Sequence, residues 1–350
     1  MPGSRPRHAP HRAEETALLY PTGGYHWPGM GADVERCPYR EVFDRAEATL
    51  APFGVAPGSL RRLMAGEGQA RRDRVTPAAA AGAGTASASR WLWTGDFPLS
   101  MVAQMALGVA LSRAFLDHHG PPCLLAGESM GELAAYCVAG ALSIEESAAL
   151  TYRWAHDLAT ASDRIGLRMA VVEDVDEGSW NTFAPALEAN IVVSDAPHLF
   201  VAALPPHRLD ELDREVAARG GRTLVSNNPC AAHEPRLARE RDIWDAHKRY
   251  LEARTFAVPS IPLLSTLHPG EQLDSAEALL RNRIDTTFHR VRWMKTLLQL
   301  PALGVRQIVQ FGPSSSGYPL KKLRGERPEL AHLKLRLVAD IEGARRAAAR

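Results

Sequence analysis

The sequence is poor in cysteine. Its 350 residues include four cysteines, Cys37, Cys123, Cys137 and Cys230, which are far apart along the chain. This spacing shows neither the paired ligands of a metal site nor the density of a disulfide framework. It therefore excludes a disulfide-stapled scaffold, predicts no metal site and is typical of a protein of the reduced cytoplasm.

Net charge and long apolar runs are also lacking. With 41 basic and 40 acidic side chains, the chain has no overall field that would recruit nucleic acid or an anionic membrane, so we expect neither as a partner. The basic, proline-rich residues 1–15 lack the apolar stretch of a secretory signal and predict a disordered tail. The most apolar segment, 98–116, contains Gln104 and Arg113 and falls short of the roughly 20 apolar residues that span a bilayer. It predicts a buried core helix.

What is present is the composition of a globular α/β protein. Hydrophobic residues make up 45% of the chain and charged residues 23%, which suffices for a sizeable core. Residues 55–90, rich in alanine, glycine and serine, predict a mobile excursion. Short strand-like runs surround one helical pattern in 164–226, after which helices again alternate with short buried strands. We therefore expect a small α+β unit inserted into a larger α/β unit.

One short motif has the pattern of a nucleophile. The run PCLLA predicts a buried strand and MGELAAYCVAGAL a helix, with Gly-Glu-Ser-Met-Gly at their junction, which is the strand, turn and helix of a nucleophile elbow. Side chains at positions 127 and 131 would collide across such a turn, which explains why both residues are glycine. The turn also directs the backbone N–H of Met130 at a reacting carbonyl. Ser129 is therefore a candidate nucleophile, with a serine in an ordinary glycine-rich loop as the alternative.

A serine nucleophile needs a general base, for which histidine is the commonest choice. The sequence has 13 histidines. His233 follows a predicted strand and precedes a predicted helix, a position that suits an active-site loop. The residues alone leave other candidates open, namely His26, His156, His198, His247 and His289.

Together these motifs resemble the malonyl-CoA:acyl carrier protein transacylases of fatty acid synthesis and the acyltransferase domains of polyketide synthases. GESMGELAAYCVAGALSIEES is similar to that family's Gly-His-Ser-x-Gly-Glu elbow and the alanine-rich helix after it. The segments LLYPTGGYHWPGMG, FPLSMVAQMAL, AAHEPRL and FGPSSSGYPLKKL are similar to further family motifs in the same order, so the resemblance covers about residues 16–325. The pattern is typical of a divergent, free-standing member.

The resemblance implies a fold and a mechanism. The fold is an α/β-hydrolase-like large subdomain, 16–163 and 227–345, with an inserted ferredoxin-like small subdomain, 164–226. The mechanism is ping-pong acyl transfer, with Ser129 as nucleophile and His233 as general base.

The resemblance also implies the groups around this pair. The backbone N–H groups of Met130 and Gly23 are expected to form the oxyanion hole. Gly23 stands where the family has glutamine, but the donor is the backbone N–H, which glycine also has. The backbone carbonyl that orients the histidine is expected near Thr286.

One departure from the family concerns the acyl group. The family's malonyl enzymes hold the free carboxylate with an arginine on the helix after the elbow, and the corresponding residue here is Trp154. The adjacent Arg153 points elsewhere, because one residue along a helix turns a side chain by about 100°. A buried carboxylate without its clamp is costly, so the sequence predicts an acyl group that carries no carboxylate. A one-residue shift that restores Arg153 is the alternative.

Two more departures lie beside the predicted catalytic pair. Cys230, Ala231 and Ala232, before the histidine, are small and predict a roomy acyl pocket, unless Trp154 fills the same volume. Glu128 replaces the histidine before the nucleophile. It would repel carboxylated acyl groups and could orient a water for hydrolysis; a solvated loop glutamate is the alternative.

We therefore expect a cytoplasmic, monomeric acyltransferase of polyketide-type secondary metabolism, without a cofactor. It would move a non-carboxylated acyl group from acyl-CoA or an acyl carrier protein to an acyl carrier protein. An editing hydrolase of acyl carrier proteins and a non-catalytic carrier-binding scaffold are alternatives. Several basic residues are candidates for docking an acidic carrier: Arg61, Arg62, Arg290, Arg292, Lys321, Lys322 and Arg324.

Overall fold

The computed structural model describes residues 15–23, 31–34, 37–65, 96–226, 230–312 and 317–348. The strands in this part of the chain are β1 (Thr16–Tyr20), β2 (Leu124–Gly127), β3 (Arg168–Glu173), β4 (Asn190–Ala196), β5 (Leu199–Leu204), β6 (Arg222–Val225), β7 (Leu263–Leu264), β8 (Gln307–Phe311) and β9 (Lys334–Val338). The helices are α1 (Arg40–Ala48), α2 (Ser59–Ala65), α3 (Phe97–His119), α4 (Gly131–Val138), α5 (Ile144–Ile165), α6 (Glu177–Phe183), α7 (Leu209–Ala217), α8 (Arg241–Glu252), α9 (Ala276–Asp285), α10 (Trp293–Leu297), α11 (Tyr318–Glu326) and α12 (Ile341–Ala348).

Five strands form a parallel sheet in the order β7, β2, β1, β8, β9. Every residue of β1, β2 and β8 is buried, as a parallel sheet covered on both faces requires. In the pairing of β1 with β2, Tyr20 lies opposite Gly127. The two strands therefore end at the same edge, the edge at which α/β sheets bind ligands, and the loops that follow them meet there.

The second sheet is antiparallel, in the order β4, β5, β3, β6. Its elements follow one another as β3, α6, β4, β5, α7, β6, which is the ferredoxin-like arrangement. Trp180, Phe200 and Val216 are buried in the core that this sheet shares with α6 and α7. The fold class expected from the sequence is confirmed: a larger α/β unit carries an inserted ferredoxin-like unit.

Strand β4 joins the small sheet to the larger unit. Val193 forms a parallel bridge with Val291, and the Ser194 N–H donates to the Val291 carbonyl at 2.9 Å. The same strand packs against α10 and α11. The carboxyl end of β4, which includes Asp195, is therefore held near the larger unit.

Helix α3 is the long apolar helix expected from the sequence. The Asp96 carboxylate caps its N-terminus by accepting a hydrogen bond from the Leu99 N–H at 3.0 Å. Its 23 residues are long and apolar enough to cross a membrane, so the expectation that its apolar reach is too short was wrong. However, 83% of its most apolar window is buried inside the fold, as in the core helix of a globular protein.

The mobile excursion expected over residues 55–90 is partly wrong. Its residues 59–65 form α2, which places Leu60, Leu63 and Met64 in the core of the larger unit. Apolar residues at this spacing lie on one face of a helix, which explains the difference. The rest of that segment from residue 66, and the predicted tail up to residue 14, lie outside the described residues.

Candidate active site

Ser129 occupies the turn between β2 and α4. Its φ of 57° is left-handed, a conformation that residues other than glycine rarely adopt and that often marks a functional turn. A Cβ at Gly127 would lie 2.3 Å from the Glu132 backbone nitrogen, and a Cβ at Gly131 would lie 2.4 Å from the Tyr20 carbonyl oxygen. Both positions therefore require glycine, and the turn holds the serine at the carboxyl edge of the parallel sheet.

The side chain of His233 reaches Ser129 from 104 residues further along the chain. The distance between His233 Nε2 and Ser129 Oγ is 2.6 Å, and Nδ1 of the same imidazole lies 2.5 Å from the Thr286 carbonyl oxygen. Because a carbonyl only accepts hydrogen bonds, Nδ1 must donate, and in a neutral imidazole Nε2 is then the acceptor. The serine hydroxyl therefore donates to the histidine, whose ring is held in one orientation and one tautomer by Thr286.

The electrostatic surroundings keep His233 neutral. Burial lowers its pKa to about 4; the Thr286 carbonyl acts in the opposite direction, and the positive charge of Arg283 lowers the pKa further. At neutral pH the imidazole is therefore free to accept a proton from Ser129.

The other candidate histidines are not placed at the serine. His247 Nδ1 lies 2.9 Å from the Asp157 carboxylate, and His156 Nδ1 lies 3.4 Å from the same group. The remaining candidates are exposed or outside the described residues: His198, His289 and His26.

The two expected oxyanion donors lie next to each other. Met130 is the N-cap residue of α4, and a Cβ built on Gly23 would lie 3.9 Å from the Met130 Cβ. That Cβ would also lie 2.3 Å from Met101 Sδ, so Met101 fills the space that a side chain at position 23 would need. Gly23 is therefore packed closely against α3 and the start of α4.

A buried polar network centred on Glu132 adjoins the candidate pair through Thr286. Its carboxylate accepts hydrogen bonds from Asn282 Nδ2 at 2.9 Å and Thr286 Oγ1 at 3.0 Å, and Arg283 Nη1 lies 3.4 Å away. Arg283 is 1% exposed. A buried charge requires a partner of opposite sign, and Glu132 supplies it while tying α4 to the residue that orients His233.

Trp154 lies beside His233. It is buried, its ring centroid is 6.5 Å from that of His233, and its Nε1–H donates to Thr287 Oγ1 at 3.1 Å. The guanidinium carbon of Arg283 lies 4.5 Å from the Trp154 ring centroid. Sequence reasoning missed Arg283, because an arginine near the end of a polar helix reads as a surface residue.

The structure does not support the alternative in which Arg153 takes the position of Trp154. Arg153 forms an ion pair with Asp157 at 2.6 Å and lies 5.5 Å from the Tyr250 ring centroid. It therefore points away from the catalytic pair, as the turn of a helix between adjacent residues requires.

Glu128 is buried, so its interpretation as a solvated loop glutamate was wrong. The residue is 5% exposed, and its carboxylate accepts a hydrogen bond from the Thr22 N–H. Burial raises its pKa well above the ordinary value, and the neighbouring Asp195 carboxyl raises it further. Sequence reasoning missed Asp195, which reads as an ordinary residue of a strand in the small unit.

The three small residues before the histidine are buried in the core. Cys230 and Ala232 belong to the same hydrophobic cluster as Trp154, while Ala231 packs in the second cluster of the larger unit. The Ala231 N–H donates to Ser162 Oγ at 2.7 Å. These residues support the loop that carries His233.

Several of the basic residues suggested for carrier docking already have partners. Arg290 pairs with Glu177 and donates to Ser194 Oγ, and Lys322 lies 2.6 Å from Asp174. Arg292 and Lys321 are exposed.

Comparison with known proteins agrees with this geometry. A family model described as the acyl transferase domain matches residues 19–278. Polyketide synthase GfsA of Streptomyces halstedii is 28% identical over 317 residues, which cover 86% of this chain. The chain spans only 4% of the length of that relative.

Solved structures show the same fold. The malonyl CoA-acyl carrier protein transacylase of Coxiella burnetii superimposes with a TM-score of 0.78 at 18% identity, covering 96% of this chain and 98% of that one. A malonyl-transacylase in complex with a type II polyketide synthase acyl-carrier protein gives a TM-score of 0.75 at 20% identity, covering 96% and 99%. The family model covers most of the chain, and the chain belongs to the acyl transferase domain family.

Proposed function

We propose that the chain carries an acyl group on Ser129 from a thioester donor to an acyl carrier protein. The observation that carries this proposal is the hydrogen-bonded series from Ser129 through His233 to the Thr286 carbonyl, set at the elbow of a chain that belongs to the acyl transferase domain family. A hydroxyl within hydrogen-bond reach of an oriented neutral imidazole is the arrangement of an activated nucleophile.

The first half-reaction loads the serine. His233 Nε2 takes the proton of Ser129 Oγ as the oxygen attacks the thioester carbonyl. The N–H groups of Met130 and Gly23 would stabilise the negative charge that develops on the carbonyl oxygen. The carbon–sulfur bond then breaks, and the departing sulfur takes the proton from His233, which leaves an acyl-Ser129 ester.

The second half-reaction reverses these roles. The thiol of the carrier's phosphopantetheine gives its proton to His233 and attacks the ester carbonyl. When the bond to Ser129 Oγ breaks, the proton returns to the serine. The neutral state of His233 suits both steps, since the same nitrogen must accept and then donate a proton.

The acyl group is proposed to lack a carboxylate. Trp154 occupies the place beside His233 where the family's malonyl enzymes have an arginine, and the nearby Arg283 already has Glu132 as its counter-ion. Glu128, directly before the nucleophile, is an acidic group that disfavours an anionic acyl chain.

An acyl carrier protein is the proposed acceptor. The similar transacylase whose structure includes a type II polyketide synthase acyl-carrier protein supports this choice. Arg292 and Lys321 are exposed cations that remain candidates for contact with an acidic carrier.

The proposal is tested by following intact masses. The protein would be incubated with a panel of acyl-CoA and acyl carrier protein thioesters, and then with a free carrier. We expect an acyl adduct that moves to the carrier and that Ser129→Ala abolishes. The exposed Ser260 supplies the control, because Ser260→Ala should load normally. Release of free acid without carrier acylation would indicate a hydrolase, and carrier binding without any adduct would indicate a scaffold.

A further inference from the structure

Two buried carboxyl groups from different subdomains, those of Glu128 and Asp195, interact electrostatically. Glu128 directly precedes Ser129, and its carboxylate is held by the Thr22 N–H, one residue from the proposed oxyanion donor Gly23. Asp195 comes from β4, which is fixed to the larger unit by the contacts of Val193 and Ser194 with Val291. Val193 and Ala196, on either side of Asp195, belong to the same buried hydrophobic cluster as Ala126 of β2, the strand that leads into the elbow. The Asp195 carboxyl acts electrostatically on that of Glu128.

Both carboxyl groups are buried, and neither has a counter-ion among the described residues. Glu128 and Asp195 are each 5% exposed. Within the part of the chain that the structure describes, Asp195 Oδ1 is buried and makes no hydrogen bond. A buried carboxyl oxygen without a hydrogen-bond partner is costly and uncommon in folded proteins.

The cations of the neighbourhood are engaged elsewhere. Arg290, which directly precedes the β4 contact at Val291, pairs with Glu177 and donates to the hydroxyl of Ser194. Arg283 has Glu132 as its partner. The site therefore contains two acidic groups. One of their oxygens, Asp195 Oδ1, has no hydrogen-bond donor among the described residues.

We propose that Glu128 and Asp195 bind a positively charged nitrogen carried by the acyl group, so that the preferred substrate of this enzyme is an aminoacyl thioester. This inference rests on the proposed function, because it names the substrate class of the same Ser129 site.

An ammonium group fits this arrangement chemically. It has three N–H donors and no acceptor, so it can satisfy the free Asp195 oxygen and the Glu128 carboxylate together. Its positive charge would stabilise the ionised forms of Glu128 and Asp195, which burial disfavours and whose pKa values burial therefore raises. A neutral alkyl chain would leave the acceptor unsatisfied, and a carboxylate would add a third negative charge.

The position of Glu128 limits the length of the acyl group. The Glu128 carboxylate is held by the Thr22 N–H, one residue before the proposed oxyanion donor Gly23, so we expect it near the first atoms of an acyl group bound to Ser129. The nitrogen is therefore expected close to the thioester carbonyl rather than at the end of a long chain.

The test compares thioesters that differ only in this nitrogen. Pantetheine thioesters of glycine, β-alanine and 4-aminobutyrate are matched in size by those of propionate, butyrate and pentanoate. Initial rates of Ser129 acylation, followed by intact mass, should favour at least one amino compound over its partner by about ten- to a hundredfold, the range of a hydrogen bond to a charged group. Equal rates, or faster loading of malonyl-pantetheine, would overturn the inference.

Variants test whether the two carboxyl groups cause the preference. Glu128→Gln and Asp195→Asn should each reduce the ratio of amino to neutral rates about tenfold, a readout that a general loss of folded protein would not change. Asp274→Asn removes an exposed carboxyl group and should leave the ratio as in the unmodified protein. A ratio that survives in both site variants would overturn the assignment.

A binding measurement separates this inference from the proposed function. Stable pantetheine amides of the same acids would be titrated into Ser129→Ala by calorimetry. Tighter binding of an amino compound than of its neutral partner supports the charged-nitrogen site even if no acyl transfer occurs. Equal binding overturns it, even if the unmodified protein transfers neutral acyl groups.

Discussion

Ser129 Oγ donates a hydrogen bond to His233 Nε2 across 2.6 Å, and both residues have left-handed backbone conformations, with φ values of 57° and 59°. Residues in this region are strained and are kept only where the surrounding structure holds them. Glycines enforce the turn at Ser129, and the Thr286 carbonyl holds the ring of His233. The pair is therefore preorganised before any substrate binds.

The pH dependence of the acylation rate should reveal the burial of His233. Because the pKa of His233 is lowered to about 4, the imidazole stays neutral well below pH 6. With a neutral acyl donor, the acylation rate constant should be flat from about pH 8 to pH 5 and fall as the pH drops through about 4. Rapid-quench mass spectrometry of the Ser129 adduct measures it. If the acylation rate constant instead fell near pH 6.5, the ordinary pKa of histidine being about 6.5, water would have to reach the imidazole ring.

Trp154 should limit the acyl pocket. Trp154→Ala removes a buried indole beside His233 and is expected to cost about 3–5 kcal/mol of unfolding free energy. It should also shift the preferred acyl group towards longer chains. Trp154→Phe keeps most of the volume and loses the hydrogen bond to Thr287, so it should keep the original chain-length profile at a cost of about 1 kcal/mol. Identical profiles in the two variants would show that the indole does not border the acyl chain.

Glu132 should be essential for stability. Glu132→Gln leaves the buried Arg283 without its counter-ion and is expected to lower the unfolding free energy by about 3–5 kcal/mol. It should also slow acylation, because Thr286 loses a hydrogen bond that helps to place its carbonyl under His233. The control is Glu252→Gln, which removes the exposed partner of Lys248 and should cost less than about 1 kcal/mol. Equal denaturation midpoints for the two variants would contradict this role of Glu132.

The elbow should not tolerate a methyl group. In Gly127→Ala the new Cβ would lie 2.3 Å from backbone atoms of Gly131 and Glu132, so the turn must open and Ser129 must leave His233. We expect loss of acylation by at least about a hundredfold, since a small misplacement of reacting groups is this costly. Gly325→Ala meets no atom within 4 Å and should be neutral or stabilising by up to about 1 kcal/mol. Normal acylation in Gly127→Ala would refute the steric argument.

The features that sequence predicts best are local ones. The glycines two positions before and after Ser129 act across a single turn, so their spacing, together with the strand and helix patterns on either side, indicates an elbow. The short strands and the helix in 164–226 likewise indicate a small α+β unit, because each element has its own pattern; its ferredoxin-like arrangement is implied only by the family resemblance. His233 lies far from Ser129 in the chain, and only the family resemblance selects it among several histidines.

The features that sequence does not predict depend on tertiary contacts. Asp195 reads as a residue of a strand, and nothing in its neighbours indicates that β4 brings it to Glu128. Arg283 reads as a surface residue of α9 until α4 supplies Glu132 as its partner. The burial of Glu128 is equally hidden, because it depends on residues that are distant in the chain, such as Thr22, rather than on the turn itself.

The acidic pair should make stability depend on pH in an unusual direction. Burial raises the pKa of Asp195 from 3.8 to about 7, so folding takes up a proton between these two values. The folded state binds more protons than the unfolded chain in this window, and its stability therefore falls as the pH rises from about 4 to about 7.

Asp195→Asn removes this penalty and should raise the unfolding free energy at pH 8 by at most about 4 kcal/mol, since one pKa unit corresponds to about 1.4 kcal/mol. At pH 4 the same substitution should have little effect, because the carboxyl group is protonated there in the folded protein. Urea unfolding at the two pH values, with Asp274→Asn as control, measures the difference. An Asp195→Asn variant whose unfolding free energy changes equally at both pH values would show that folding does not raise the pKa of Asp195.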